Sequence, residues 1–179
     1  MLAAGAGSRF EGPTHKLLAP LGDATVFERS LAAVLDADLA TMIVVTRDDT
    51  LDGLIPPEMV VLRNHRWAEG MATSLQVAVT WAKDHGIDAL VVGLGDQPFV
   101  GSDAWRAVAS APDSIAVASY DGRRRNPVRL HRSVWPLLPS SGDEGARIVM
   151  RLHPELVGEI PCPGDPGDID TVEDLNKWN

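Results

Sequence analysis

Short apolar runs rich in β-branched residues alternate along this chain with longer amphipathic segments, and this alternation strongly restricts its possible folds. The runs typical of buried strands are Met42 to Thr46, Met59 to Leu62, Ala89 to Leu94 and Ser114 to Ala118. The segments with apolar residues at helical spacing include Thr25 to Leu35 and Met71 to Lys83. Because parallel strands need crossover connections, and helices usually supply them, the pattern predicts a three-layer α/β fold with a mostly parallel sheet.

The length of 179 residues predicts a single domain over residues 1–179. From about residue 120 to residue 152 the regular strand–helix alternation is interrupted. This segment contains an arginine run, a short predicted strand from Pro127 to Leu130 and a proline-rich stretch. We interpret this segment as a small inserted lobe on the same domain. Residues 158–167 hold three prolines and predict an extended loop before a terminal helix that begins near Thr171.

Charge and composition exclude several classes of protein. The 16 basic and 25 acidic residues give a net charge of −9, which disfavours nucleic-acid binding because such binding depends on neutralising phosphates. The single cysteine, Cys162, cannot form an internal disulfide. No apolar run approaches the roughly 18 residues of a membrane span, and no signal peptide is recognisable. We therefore expect a cytoplasmic protein with neither nucleic acid nor membrane as a partner.

A glycine-rich segment from Leu2 to Arg9 is a candidate phosphate-binding loop. Glycines let backbone N–H groups approach an anion, and Arg9 and Lys16 add two cations. The segment matches neither a Walker A loop nor a dinucleotide fingerprint, which needs a third glycine where Phe10 stands. A turn with two solvated charges stays open as the alternative.

Two distant aspartates are candidate metal ligands. Asp96 follows the predicted strand that ends at Leu94, and the carboxyl end of a parallel strand is where open α/β sheets bind ligands. Asp170 precedes the terminal helix. Mg²⁺ takes one or two protein carboxylates and completes its shell with water and phosphate oxygens. The alternative is structural: Asp96 in a turn, and Asp170 or Thr171 as a helix cap.

Six short blocks in a fixed order carry a resemblance to a known family. They are Leu2-Ala3-Ala4-Gly5-x-Gly7-Ser8-Arg9, Lys16-Leu17-Leu18, Trp67-x-x-Gly70-Met71-x-x-Ser74-Leu75, Gly95-Asp96-Gln97-Pro98, Gly142-Asp143-x-Gly145-Ala146-Arg147 and Asp168-Ile169-Asp170-Thr171. In order and spacing the chain resembles the MobA-like NTP transferases, and within them the MocA-type molybdenum cofactor cytidylyltransferases. The resemblance implies a Rossmann-like, glycosyltransferase-A-type fold. It also implies Mg²⁺-dependent transfer of CMP from CTP to a phosphorylated acceptor of the molybdopterin type, with release of pyrophosphate.

The resemblance further implies roles for individual residues. The implied catalytic residues are Arg9, Lys16 and Asp96, and the implied metal ligands are Asp96 and Asp170. The implied nucleotide-binding residues are Leu2, Ala3, Ala4, Gly5, Gly7, Arg9, Lys16, Gly70, Met71 and Ser74. The implied acceptor-binding residues are Asn126, Asp143 and Arg147. The resemblance places the Gly70-Met71-x-x-Ser74 block beside the base. Trp67 precedes this block and is either a core residue, the usual role of a large aromatic, or a neighbour of the nucleotide.

Two departures from the family pattern keep alternatives open. Relatives have an apolar strand before the glycine loop, whereas only Met1 precedes Leu2, so either the start lies too late or part of a central strand is lost. Relatives usually have Gly-His-Pro where this chain has Arg125-Asn126-Pro127, which leaves the acceptor open. The alternatives are a GTP-dependent enzyme, a transferase for another small phosphorylated acceptor, and a weakly active protein that binds the cofactor and contacts a molybdoenzyme transiently.

Overall fold

The computed structural model describes residues 1–178 and contains eight strands and five α-helices in this part of the chain. The strands are β1 (Pro20–Leu21), β2 (Ala24–Thr25), β3 (Ile43–Thr46), β4 (Val60–Arg63), β5 (Ala89–Val92), β6 (Ile115–Tyr120), β7 (Arg123–His131) and β8 (Val157–Pro161). The helices are α1 (Val26–Asp36), α2 (Met71–Asp84), α3 (Ser102–Ser110), α4 (Arg147–Leu152) and α5 (Val172–Asn176). The four strands and two helices predicted from periodicity are all present, with ends shifted by only a few residues.

The first three residues join two groups of strands. β3 pairs with β4 in parallel, and β5, β7, β6 and β8 form a second group in that order. Leu2 makes parallel bridges to Val45 on one side and to Leu94 on the other. The amides of Leu2 and Ala3 donate to Gly93 O and Val45 O. Residues 1–3 therefore lie at the centre of one continuous sheet, and the glycine loop starts from this central position.

Side-chain alternation along the strands divides the core into two layers, one on each face of the sheet. Val44, Ala116 and Ala118 pack with α1, α3 and α5 on one face. Ile43, Val45, Ile115 and Val117 pack with α2 and α4 on the other face. The predicted three-layer α/β architecture is confirmed.

Capping boxes fix the starts of two helices. Thr25 and Glu28 exchange hydrogen bonds at the start of α1, and Thr171 and Asp174 do the same at the start of α5. Thr171 thus caps the terminal helix that the sequence predicts, one residue after Asp170. The longest described helix, α2, has 14 residues, and no helix within residues 1–178 is long and apolar enough to cross a membrane.

Two segments differ from the sequence-based expectation. The strand predicted from Pro127 to Leu130 spans Arg123–His131 and lies inside the sheet, antiparallel to both β5 and β6. The sheet is therefore mixed at this side, and nine residues of the predicted lobe belong to the sheet itself. β8 contains residues 158–161 of the expected extended loop. Within residues 1–178 it pairs with β6 alone, and an edge strand tolerates its terminal Pro161.

Candidate functional site

A cleft opens at the carboxyl ends of the central strands and consists of two adjoining cavities of about 790 Å³ and about 580 Å³. Lys16, Asp96 and Asp170 line both cavities. The smaller cavity is bordered by the glycine loop and the start of α2. The larger one is bordered by β7 and the start of α4. The three charged groups therefore occupy the junction between two spaces, each large enough for a small ligand.

At this junction one ammonium group contacts two carboxylates. Lys16 Nζ donates to Asp96 Oδ2 at 2.5 Å and to Asp170 Oδ1 at 3.0 Å. The exposed Arg9 pairs with the remaining oxygen of Asp170, with Nη2 and Oδ2 2.9 Å apart. A backbone hydrogen bond from Ile169 N to Asp96 O fixes the two acidic segments side by side. The fold thus brings together the two aspartates that the sequence places 74 positions apart.

The electrostatics of the junction favour a cation. Burial alone would lower the pKa of Lys16, but the charges and hydrogen bonds of Asp96 and Asp170 outweigh it and raise the pKa above its usual value. Burial, followed by the negative charge of Asp96, raises the pKa of the neighbouring Asp168. Asp96 Oδ1 is buried and accepts no hydrogen bond from any described residue. An unpaired buried carboxylate oxygen is costly, so this atom is suited to bind an incoming positive group.

The glycine loop lines the smaller cavity and contains unpaired backbone donors. Within the described chain, the amides of residues 4–9 donate no hydrogen bond to another protein atom. Gly7 has a φ of +65°, which a side chain would strain, and its position lets the loop turn above Lys16. His15 contacts Gly5 O from outside the loop. A row of free N–H groups beside Lys16 and Arg9 forms a ready site for anionic oxygens.

A buried asparagine that was not predicted from the sequence organises the start of α2 and the turn before it. Asn64 Nδ2 donates to Thr73 Oγ1 at 2.8 Å and to Ser74 Oγ at 2.9 Å, and its Oδ1 accepts from Arg66 N. These bonds tie the end of β4 to the first turn of α2. Its position directly after a strand was the signal available in the sequence.

The start of α2 also contacts the segment before α4. Gly70 has a φ of +103°, and a Cβ there would lie 2.4 Å from the carbonyl carbon of Gly142. Asp143 Oδ1 accepts from Met71 N at 3.1 Å, while Arg147 donates to the backbone carbonyls of Asp143 and Glu144. Asp143 thus accepts a hydrogen bond at the start of α2. Arg147 forms no ion pair among residues 1–178, and together the hydrogen bond from Arg151 and the positive charge of Arg147 lower the pKa of Glu144.

Gln97, which belongs to one of the six family blocks but was assigned no role, links the segment of Asp168 and Asp170 to the larger cavity. Its buried Nε2 donates to Asp168 Oδ1 at 2.8 Å and to Pro166 O at 3.2 Å. Its Oε1 accepts from Asn126 Nδ2 at 3.2 Å, and Asn126 O accepts from Tyr120. One amide side chain therefore connects a residue of the larger cavity with the loop that carries Asp170.

The cleft gathers every site residue predicted from the sequence. The smaller cavity is lined by all ten residues assigned to the nucleotide, together with Asp96, Asp143, Arg147 and Asp170. Asn126 lies in the larger cavity, which Arg147 also borders. Arg124 and Arg125 line the larger cavity too, and Arg124 pairs with Glu159. Their roles remain predictions, but their common location is a property of the fold.

The fold and cleft define an α/β nucleotidyltransferase, and the comparisons with known proteins agree. The sequence pattern of the MobA-like NTP transferase domain matches residues 1–157, and the chain belongs to that family. It is similar to the purine catabolism protein PucB of Bacillus subtilis, with 31% identity over 99% of this chain and 92% of the relative. It is also similar to the nicotine blue oxidoreductase of Paenarthrobacter nicotinovorans, with 32% identity over 99% and 93%.

Solved structures share the architecture. Rv0371c from Mycobacterium tuberculosis superposes with a TM-score of 0.83 at 25% identity, covering 98% of this chain and 93% of that one. A nucleotidyl transferase from Methanothermobacter gives a TM-score of 0.79 at 26% identity, covering 98% and 93%. A manganese complex of Rv0371c gives 0.77 at 23% identity, covering 99% and 94%, which is evidence for the shared fold.

Proposed function

We propose that the protein is a Mg²⁺-dependent cytidylyltransferase that transfers CMP from CTP to a phosphorylated acceptor of the molybdopterin type. The observation that carries the proposal is the contact of Lys16 with both Asp96 and Asp170 beside the free amides of the glycine loop. Such a cluster has negative groups for a metal and positive groups for phosphates within one cleft. The preference for CTP over GTP rests on the resemblance, in which Ala4 stands where guanylyl-transferring relatives tend to have glycine.

The donor triphosphate fits the smaller cavity. The amides of residues 4–9 donate to phosphate oxygens, and Lys16 and Arg9 offset their charge. A cavity of about 580 Å³ accommodates a molecule of nucleotide size. In this arrangement the α-phosphorus lies near the junction, within reach of an acceptor in the larger cavity.

The residues at the junction fit a divalent cation. Asp96 offers a buried oxygen without a partner, and Asp170 is the second carboxylate on the same ammonium group. No cluster of three or more His, Cys, Asp or Glu side chains suited to a metal occurs in the part of the chain that the structure describes. A pair of acids is nevertheless typical of Mg²⁺, which draws its other ligands from water and phosphates. Bound there, Mg²⁺ would neutralise phosphate charge and orient the donor.

The larger cavity, where we place the acceptor, is lined in part by arginines that form no ion pair among residues 1–178 and by apolar side chains. Arg147 and Arg125 donate to backbone carbonyls and form no ion pair in the described chain. Val117, Val128 and Leu130 line the same cavity. This combination supports an acceptor that joins a phosphate to a larger, less polar body, as expected for a pterin-type cofactor more than for a sugar phosphate.

The reaction requires positioning more than covalent catalysis. An oxygen of the acceptor phosphate attacks the α-phosphorus of CTP in line, the bond to the β-phosphate oxygen breaks, and that oxygen leaves with pyrophosphate. A phosphate nucleophile is already ionised at pH 7, so the chain needs no general base. Lys16 and Arg9 stabilise the charge that develops on the transferred and leaving groups.

The proposed substrates also indicate where the protein acts. Because CTP and pterin-type acceptors belong to the cell interior, we propose a cytoplasmic location and a molybdoenzyme as a transient partner.

The test is a screen of pyrophosphate release with CTP, GTP, ATP and UTP, each with Mg²⁺ and with molybdopterin-type acceptor or a sugar phosphate. We expect release with CTP and the pterin acceptor only, and none after EDTA treatment. Release with GTP alone would move the protein to the guanylyl-transferring group. Cofactor binding without any release would favour an accessory cofactor carrier.

A further inference from the structure

A tryptophan is exposed inside the smaller cavity. Trp67 is 37% exposed, although large aromatic side chains are usually buried, and it lines the smaller cavity but not the larger one. The structure therefore rules out a fully buried core role for this side chain. Its surface is available to whatever occupies the donor side of the cleft.

The turn that carries Trp67 is rigidly held. Trp67 begins a 3-10 turn, Trp67–Glu69, which the Asn64 side chain anchors through Arg66 N. Arg66 and Glu69 form a two-pronged pair across the turn, and Thr73 Oγ1 donates to Arg66 O at 3.0 Å. The indole is consequently presented from a fixed backbone, and ordering it on binding costs little entropy.

The surroundings of the indole are suited to a flat ligand group. The Arg47 guanidinium lies over the ring, 5.4 Å from its centroid, and holds it by a cation–π contact. Elsewhere the cavity is lined by small residues of the glycine loop, among them Ala3, Ala4 and Gly5. The proposed phosphate-binding groups, Lys16 and the loop amides, border the same cavity. When the phosphates of a nucleotide bind to these groups, its ribose and base can extend towards Trp67.

We propose that Trp67 is a nucleobase-binding residue, on whose ring the base of the donor nucleotide stacks. This inference rests on the proposed nucleotide donor and adds a contact to it. Every base has a π-face, so stacking adds affinity without choosing cytosine over guanine. Base selection then falls to the polar and backbone groups around the same cavity.

The experiment compares two probes by titration calorimetry: Mg²⁺·CTP, which has a base, and Mg²⁺·tripolyphosphate, which has none. We expect Trp67→Ala to weaken CTP binding at least about tenfold and Trp67→Phe to stay within about threefold of wild type. Tripolyphosphate should bind equally to all three proteins. Trp178→Ala is the matched control, because Trp178 is 46% exposed but lines neither cavity.

Each other outcome has a distinct meaning. Unchanged CTP affinity in Trp67→Ala would overturn the stacking role. An equal loss for CTP and tripolyphosphate would also overturn it, since the residue would then only support the loop. If wild type bound no nucleoside triphosphate at all, the proposed donor itself would be wrong.

Discussion

The two sides of the cleft differ in how their charged and polar groups are held. On the donor side, Lys16 is buried between two acids, and the buried Asn64 is hydrogen-bonded through both ends of its amide. On the proposed acceptor side, Arg124 and Arg151 make exposed ion pairs, whereas Arg147 donates hydrogen bonds to backbone carbonyls and forms no ion pair within residues 1–178. Exposed ion pairs contribute little to stability. The comparison indicates that the proposed donor site is preorganised and the proposed acceptor site is adaptable, so substitutions on the two sides should have different kinetic consequences.

The largest effect is expected from Asp96→Asn on the donor side. The change removes the negative charge of the residue with the unpaired buried oxygen, and we expect turnover to fall by about 10³-fold or more while the fold persists. Pyrophosphate release at varied Mg²⁺ concentration and circular dichroism measure the two properties. Asp88→Asn, a change at an exposed ion pair, is the control. Near-normal release from Asp96→Asn would remove the metal-ligand assignment.

Lys16→Met should cost about 3 kcal/mol of transition-state stabilisation, mostly in kcat, because the lost ammonium faces the reacting phosphates. The substitution also leaves two acids without their shared cation.

The same variant tests how the Lys16 ion pairs contribute to stability. Since the pKa of Lys16 is raised, the contribution of its ion pairs to the free energy of unfolding is complete at neutral pH and is lost only as the pH rises through that raised value. The difference in melting temperature from wild type should therefore stay constant between pH 7 and about pH 9. Exposed Lys83→Met is the control, and a difference that shrinks in this range would contradict the pairing.

Gly70→Ala tests the contact between the two sides. The new Cβ would meet the Gly142 backbone at a φ of +103°, and we expect a loss of about 2–3 kcal/mol in the free energy of unfolding. For a chain of this size that corresponds to a fall of roughly 5–10 °C in melting temperature. Gly53→Ala, where nothing lies within 4 Å, should have almost no effect. Equal melting temperatures for the two variants would show that the backbone at Gly142 can move away from residue 70 at little cost in stability.

The smallest effect is expected from Arg147→Ala. Because its guanidinium forms no ion pair in the described chain, its loss should raise the KM for the acceptor about tenfold and leave the KM for CTP unchanged. Steady-state kinetics with each substrate varied in turn measures both constants. Arg106→Ala, at a surface ion pair with Asp103, serves as the reference. A matching rise in the KM for CTP would assign Arg147 to the donor side instead.

Much of the fold was predictable because its central strands are uninterrupted β-branched runs, such as Ile43–Thr46, and two of its helices begin with capping boxes. Such signals are missing from two other strands: the first part of β7 consists of exposed arginines, and β8 ends in a proline at a sheet edge. Neither segment has the apolar alternation from which strands are recognised. A strand that projects charged residues into a cleft therefore resembles a loop in sequence.

For the candidate site, most of the residues could be predicted from the sequence, but the contacts between them could not. Lys16 bonds to partners 80 and 154 positions away, and no local pattern encodes such contacts. Asn64 was not predicted because a buried amide has no charge and matches no catalytic motif, and Gln97 stands in one of the six family blocks without an assigned role. Both come after a strand on the cleft side, so the position shared with Asp96 was the available signal.

The bond between Gln97 and Asn126 has a consequence for redesigning acceptor choice. Gln97 accepts a hydrogen bond from the side chain at position 126 and donates its own amide hydrogens to Asp168 and Pro166. An exchange at position 126 would change the partner of that amide, and we expect it to disturb the loop bearing Asp170. To alter the selectivity for the proposed acceptor, positions 97 and 126 must therefore be varied together.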